Sequence, residues 1–237
     1  MQKNNSQTRT SKKNRIITNV LTAALKLWLK SQVSHVAQLE VEIKASDRQL
    51  LSGCIPWVSV FASHAVYQGL HLTQIQLVAE NIRVNIGSVL KGQPLRLLET
   101  VPVVGELIQE EENLNTSLSS NLFLVALNDL LIKLLPEYSA NSKSVTWQKI
   151  KLDTNQATLS ATLADQNQIS DLNISLQLEL LSGHELKIKH IKVERDTVEQ
   201  VEAHKELYFN LGADVEIQQL SLLPGKLVCC GRINVNP

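Results

Sequence analysis

Apolar and polar residues alternate along most of this chain. Residues 39–45, "LEVEIKA", alternate cleanly, and "LNISLQLEL" at 172–180 places five apolar residues at every second position. A period of two puts those side chains on one face of a strand. Further strands are predicted over "CIPWVSVFA", "LHLTQIQLVAENIRVNI", "LRLLETVPVVGEL", "VTWQKIKLD", "QATLSATLA", "DLNISLQLELL", "HELKIKHIKVE", "ADVEIQQLSLL" and, at the end, "LVCCGRINV". Pro56 marks its segment as an edge or a strand start. "SDRQLLSG" and "GSVLKGQP" read as connections. Strands at this spacing, with short polar breaks, form antiparallel sheets.

Two of these strands share an irregularity. "LHLTQIQL" (70–77) and "LKIKHIKV" (186–193) carry apolar residues at the same offsets: Leu70, Leu72, Ile75 and Leu77 match Leu186, Ile188, Ile191 and Val193. Alternation runs one step, skips a residue and resumes. A β-bulge produces that pattern and bends the strand. The repeat suggests a duplication, with residues 15–237 as one domain divisible into helix-plus-strands repeats at 15–110 and 111–237; a chance match of short alternating segments is the competing explanation.

Two segments adopt the helical period instead. Over residues 15–37, Ile16, Ile17, Val20, Leu21, Ala24, Leu25, Leu27 and Trp28 share one half of a helical wheel, with Asn19, Thr22, Lys26 and Lys30 on the other. From Leu122 to Leu135, eleven of fourteen residues are apolar, and Pro136 stops the helix. A helix apolar nearly all round is normally enclosed. Residues 1–14 are polar and aperiodic and predict a disordered basic arm.

Charge changes the picture. The chain is neutral overall, with 23 basic and 23 acidic residues, yet residues 1–39 hold seven of the bases and none of the acids. Such an arm suits an anionic partner. The segment after it is too short and too polar to cross a bilayer and lacks a cleavage site. It fits an interfacial helix, with Lys12, Lys13, Arg15, Lys26, Trp28 and Lys30 as membrane-surface residues. Packing of the same helix on the sheet is the other reading, and both hold if it docks at a groove mouth. The expected location is cytoplasmic and peripherally membrane-associated.

Catalytic motifs are missing from the sequence. It has no nucleophile elbow, phosphate loop or HExxH. Ser63 and His64 are strand neighbours that face opposite ways. His184 and His190, six apart, lack a third metal ligand. Cys54, Cys229 and Cys230 have no zinc spacing, and Cys229 and Cys230 point to opposite strand faces. Glu110–Glu112 read as a solvated helix start. The body is acidic and only 4% aromatic, which disfavours a nucleic-acid platform. The expectation is a non-enzymatic protein without cofactor, metal or nucleic-acid partner.

The distinctive feature is the excess of Leu, Ile and Val on long strands. It describes a filled sandwich core or an apolar groove. A groove would be lined by Leu70, Leu72, Ile75, Leu77, Leu122, Leu127, Leu131, Leu172, Ile174, Leu176, Leu178, Leu186, Ile188 and Ile191. A two-chain lipid holds roughly 30 methylenes, so its leaving water is worth about 20 kcal/mol or more. The bilayer already supplies that, so a carrier needs a long aliphatic lining that matches the membrane.

The stretch "LKLWLKSQV" leading to "LEVEIKASDRQLLSGCIPWVSVFASHAVYQGLHLTQIQL", with "VLKGQPLRLLE", "LNTSLSS" and "LLSGHELKI", resembles the LmeA-like phospholipid-binding family, in its cyanobacterial form. The resemblance implies a non-enzymatic binder of phospholipid or a similar amphiphile. It also implies a β-rich α+β fold: a curved antiparallel sheet wrapped around one or two long helices, like the tubular lipid-binding proteins. The shared positions Asp47, Arg48, Gly53, Tyr67, Gly69, Gly92 and Pro94 read as turn and packing residues, with Arg48 a candidate for a phosphate headgroup. The filled-core alternative is a structural or protein-interaction domain with no lipid site.

Overall fold

The computed structural model describes residues 16–89, 93, 96–136, 143–165, 168–196, 199–203 and 206–237. The basic arm, with Lys12, Lys13 and Arg15, lies outside the described residues, as do Gly92 and Pro94.

Helix α1 (Ile16–Gln32) turns Ile17, Leu21, Leu25 and Leu29 onto the sheet, one residue per turn. The helix expected to reach residue 37 stops at Gln32, because the strand ladder claims the residues beyond it. Ser34 donates its N–H to the Val66 carbonyl (2.9 Å), and Val36 pairs with Ala65. β1 (His35–Lys44) thus starts earlier than its alternation suggests. The connection "SDRQLLSG" contains a short helix, α2 (Asp47–Leu51), started by a capping box in which Ser46 and Gln49 bond each other's backbone N–H. The Thr18 hydroxyl of α1 donates to Asp47 (3.3 Å) and ties the two helices.

Strands β2 (Cys54–Tyr67), β3 (Leu70–Arg83) and β4 (Val101–Glu110) continue an antiparallel meander, with the short α3 (Ile86–Val89) after β3. The chain then crosses through α4 (Glu111–Thr116), a 3-10 turn and α5 (Asn121–Leu134). A second sheet is built from β5 (Lys143–Asp153), β6 (Gln156–Asp165), β7 (Gln168–Ser182), β8 (Glu185–Arg195), β9 (Glu199–Ala203) and β10 (Leu207–Asn210). The last hairpin, β11 (Val215–Leu223) and β12 (Lys226–Val235), returns to the first sheet, whose order is β1-β2-β3-β4-β12-β11. The second sheet runs β10-β8-β7-β6-β5, with β9 paired to β8. The passage at residues 110 and 111 is therefore where the chain leaves the first sheet, to which its final two strands come back.

The skipped positions take two forms. On β8, His190 adopts a left-handed backbone (φ 50) and the β7–β8 register slips by one after Ser175, so Ile188 and Ile191 both face the core. This is a bulge of the expected kind. Between β2 and β3 the register never slips. Instead both strands skip together, where His64 (φ 47) faces Thr73 and again where Asn81 (φ 54) faces Pro56. Ala62 and Ala65 keep one face with Ile75 and Leu72, and Ile55 and Val58 with Ile82 and Ala79. Each paired skip bends the sheet and preserves its pairing.

Side-chain amides then stand in for peptide groups at the ends of the ladders. The Thr73 N–H donates to Gln109 Oε1 (3.3 Å), and Gln109 Nε2 donates to the His71 carbonyl (2.7 Å). β5 is the edge of its sheet, and α4 covers it. Asn115 accepts from the Ile150 N–H (2.7 Å) and donates to the Ile150 carbonyl (2.8 Å), while Glu111 accepts from the Leu152 N–H (2.7 Å). Glu111 is thus an edge cap, which corrects the reading of Glu110–Glu112 as a merely solvated helix start.

Candidate functional site

The paired β2–β3 register carries apolar residues across the whole first sheet. One row of cross-strand partners runs Leu39, Ala62, Ile75, Leu107, Cys229, Leu220; the next runs Val41, Val60, Leu77, Gly105, Gly231, Ile217. Directly opposed residues share a face. Two adjacent rows over six strands therefore hold no charged or hydrogen-bonding side chain beyond one thiol.

This face is covered unevenly. At one side, α1 closes it through Ile17, Leu21, Leu25 and Leu29, in two small cores built around Ile43, Val58 and Ile82 and around Leu39, Ala62 and Ala65. At the other side, Leu222 and Leu227 join the large core formed by α5 and the second sheet. Between them, Leu77, Leu107, Ile217 and Leu220 are half-buried and belong to none of these clusters. Aliphatic side chains in the middle of a sheet with no core of their own form the candidate site.

Two glycines shape its floor. A Cβ on Gly105 would lie 3.0 Å from Leu77 Cδ2, so the leucine lies over the bare backbone of β4. A Cβ on Gly231 would come within 2.5 Å of the Glu216 carbonyl, because β11 curls tightly over β12 where its register slips after Ile217. Burial, with the Cys230 thiol beside it, pushes the Cys229 thiol upward in pKa and keeps it neutral on this aliphatic surface.

The sequence-predicted lining divides between two environments. Leu72, Ile75 and Leu77 lie on the first-sheet face, with Leu70 half-buried at its end. Leu127, Leu131, Leu172, Ile174, Leu176, Ile188 and Ile191 are buried together in the large core, with Leu178 packed against it; Leu172 and Ile174 are 0% exposed. There α5 already fills the space, and Trp147 donates its indole N–H to Asn128 (2.9 Å) within the same contact. Leu186 is half-buried, and Leu122 is exposed on the outer side of α5. Leu107, Ile217 and Leu220 are not among the expected lining; only the cross-strand register brings them beside Leu77.

Helix α1 carries two apolar stripes. The inner one packs on the sheet, while Val20, Leu27 and Trp28 face outward, with Lys30 exposed and Lys26 half-buried beside them. Arg48 is exposed on α2, at the opposite end of the sheet from the β2–β3 turn. A depression of about 580 Å³ opens near that end too, lined by Asn85, Ser88, Gln93, Arg96, Leu97 and Leu98; it is polar-rimmed and separate from the aliphatic rows. His184 lies in the β7–β8 turn, bonded to the Val215 carbonyl, and His190 is the bulge residue, so the two do not share a strand face. Among the described residues no group of three or more His, Cys, Asp or Glu side chains could hold a metal ion, and no single helix is long and apolar enough to cross a membrane.

These features define a β-rich α+β protein whose first sheet offers an aliphatic face. The chain belongs to the LmeA-like phospholipid-binding family, whose match extends over residues 13–232. No curated protein and no solved structure matches it. Membership makes it a lipid-binding protein in the general sense, in a family of binding domains rather than enzymes.

Proposed function

We propose that the hydrocarbon of a phospholipid, or of a similar amphiphile, covers the centre of the first sheet over Leu77, Leu107, Ile217 and Leu220, beside Leu72 and Ile75 of the α1 core, without chemical turnover. The observation that supports this most is the unclaimed row between the cores: half-buried leucines that pack against neither α1 nor α5. Each methylene laid there contributes about 0.8 kcal/mol relative to water, close to what the bilayer gives, so a lipid can enter and leave. The large core is structural in this reading, and its residues hold α5 rather than a guest.

The outer stripe of α1 would hold the protein peripherally on an anionic membrane. Trp28 and Leu27 suit the interfacial zone, and Lys26, Lys30 and the basic residues Lys12, Lys13 and Arg15 each add about 1 kcal/mol of attraction at low salt.

Native mass spectrometry and lipid extraction of the purified protein test the site. A bound phospholipid is expected, and a Leu77→Asp/Leu107→Asp variant should lack it while remaining folded. Protein that carries no lipid and takes none from vesicles would be a filled structural or interaction domain instead.

A further inference from the structure

We infer that the end of the first sheet at the β2–β3 turn is the membrane-facing mouth of the lipid face, built from three chain segments and not from α1 alone. The inference rests on the phospholipid reading above and goes beyond it by saying which end meets the bilayer and what touches it.

Three elements converge at this turn. α1 runs antiparallel to β1, so its last turns lie where β1 begins, and Ser34 just beyond them bonds the Val66 carbonyl through both its N–H (2.9 Å) and its hydroxyl (3.2 Å). From the other side, Ser120, the N-cap of α5, donates its hydroxyl to the Gln68 carbonyl (2.9 Å). The turn itself is tight, with Gln68 at φ 48 and Gly69 at φ 82, and a Cβ on Gly69 would lie 3.1 Å from the Ser120 Cβ. The helix ends and the hairpin tip are thus fixed to one another.

Each element contributes exposed apolar surface at this end. Leu27 is 71% and Trp28 57% exposed on α1, Tyr67 is exposed at the tip of β2, and Leu122 is 47% exposed in the first turn of α5 with Val125 one turn on. Leu70 and Leu72 stand on β3 between this rim and the aliphatic rows, with Leu72 packed in the core that holds Leu29 of α1.

Charge selects the occupant. Residues 16–39, 48–79 and 113–128 supply these elements, and none of the 23 acids of the chain falls within them. Lys26 and Lys30 are the fixed cations there. Asp129 is exposed on α5 one turn beyond Val125, while Glu110 stands back along β3 beside Thr73 and Glu111 is engaged with the Leu152 N–H. An apolar rim with Lys26 and Lys30 on its α1 side is complementary to an anionic bilayer surface. A lipid drawn in here keeps its headgroup beside Lys26 and Lys30, far from Arg48.

The test is flotation of the full chain with phosphatidylcholine vesicles, with and without phosphatidylglycerol. Trp28→Ser, Tyr67→Ser and Leu122→Ser are each expected to lower partitioning by roughly tenfold, the loss of one inserted side chain. Ile169→Ser, which removes a residue 78% exposed on the second sheet, should leave it unchanged. Because all four sites are exposed, folding should persist, and Leu122→Trp gives an independent readout: its emission should be quenched by brominated lipids. If only Trp28→Ser weakens binding and Leu122→Trp is not quenched, the three-segment mouth is wrong while the phospholipid reading stands. If lipid co-purifies but none of the three variants matters, the mouth is likewise wrong. If the protein neither carries lipid nor floats, both fail together.

Discussion

Asn115→Ala should expose how the second sheet is sealed. Its side-chain amide makes two bonds to the backbone of one residue, accepting from the Ile150 N–H at 2.7 Å and donating to the Ile150 carbonyl at 2.8 Å. Ile150 is 3% exposed, on the last strand of its sheet, so no neighbouring strand replaces the amide. Two neutral bonds contribute about 1 kcal/mol each, and leaving the partners poorly solvated raises the loss to roughly 2–4 kcal/mol. Against a total stability of about 5–15 kcal/mol that is a large fraction. With a urea dependence of about 2–3 kcal/mol/M, the unfolding midpoint should fall by about 1 M. Glu111→Gln is the matched control, since it keeps an acceptor for the Leu152 N–H and should cost far less. If Asn115→Ala unfolds at the wild-type midpoint, water satisfies that edge and α4 is not its cap.

The same structure gives three further expected outcomes. Leu172→Ala, in a fully buried site, should cost about 2–5 kcal/mol by chemical denaturation with bound lipid unchanged, whereas Leu77→Ser should cost less and reduce the extracted lipid; the opposite assignment would place the guest in the large core. Gly231→Ala brings a methyl to 2.5 Å from the Glu216 carbonyl and should destabilise the β11–β12 hairpin by about 1–3 kcal/mol, seen as a lower melting temperature. The Lys187 ammonium (2.7 Å), together with the Tyr208 hydroxyl (2.7 Å), holds the Glu206 carboxyl below its ordinary value. A depressed carboxyl stabilises the fold above its ordinary pKa and loses that contribution as pH falls, so amide protection factors at Leu207–Asn210, corrected for intrinsic exchange, should fall on acidification before those of β7; equal response in both strands would deny the link.

Much of the fold is written in local periodicity. The alternating segments are strands, the apolar run at 122–135 is α5 within a residue at each end, and the skipped residues at His190 and Thr73 are a bulge and a paired bend. What the pattern does not carry is non-local. Whether "LNISLQLEL" lines a groove or a closed core depends on where α5 lies, and α5 covers it. Leu220 comes beside Leu107 only through the pairing of β12 with β4, strands more than a hundred residues apart in sequence. β9 and β10 escape a periodicity reading because each is short, at five and four residues, with too few positions to set a period. α1 is legible as amphipathic, but its apolar half-wheel is split between packing and exposure, a division only the sheet beneath it decides.

The position of the closing hairpin has a consequence for how the molecule comes into being. The partner of Glu110 is Lys226, more than a hundred residues later. As the polypeptide leaves the ribosome, the meander from β1 to β4 is therefore made with a raw, unpaired border, which stays open until Lys226–Val235 has been translated. Early chains must wait, shielded or at risk of sticking to one another, and a nonsense mutation before Lys226 would leave them waiting indefinitely.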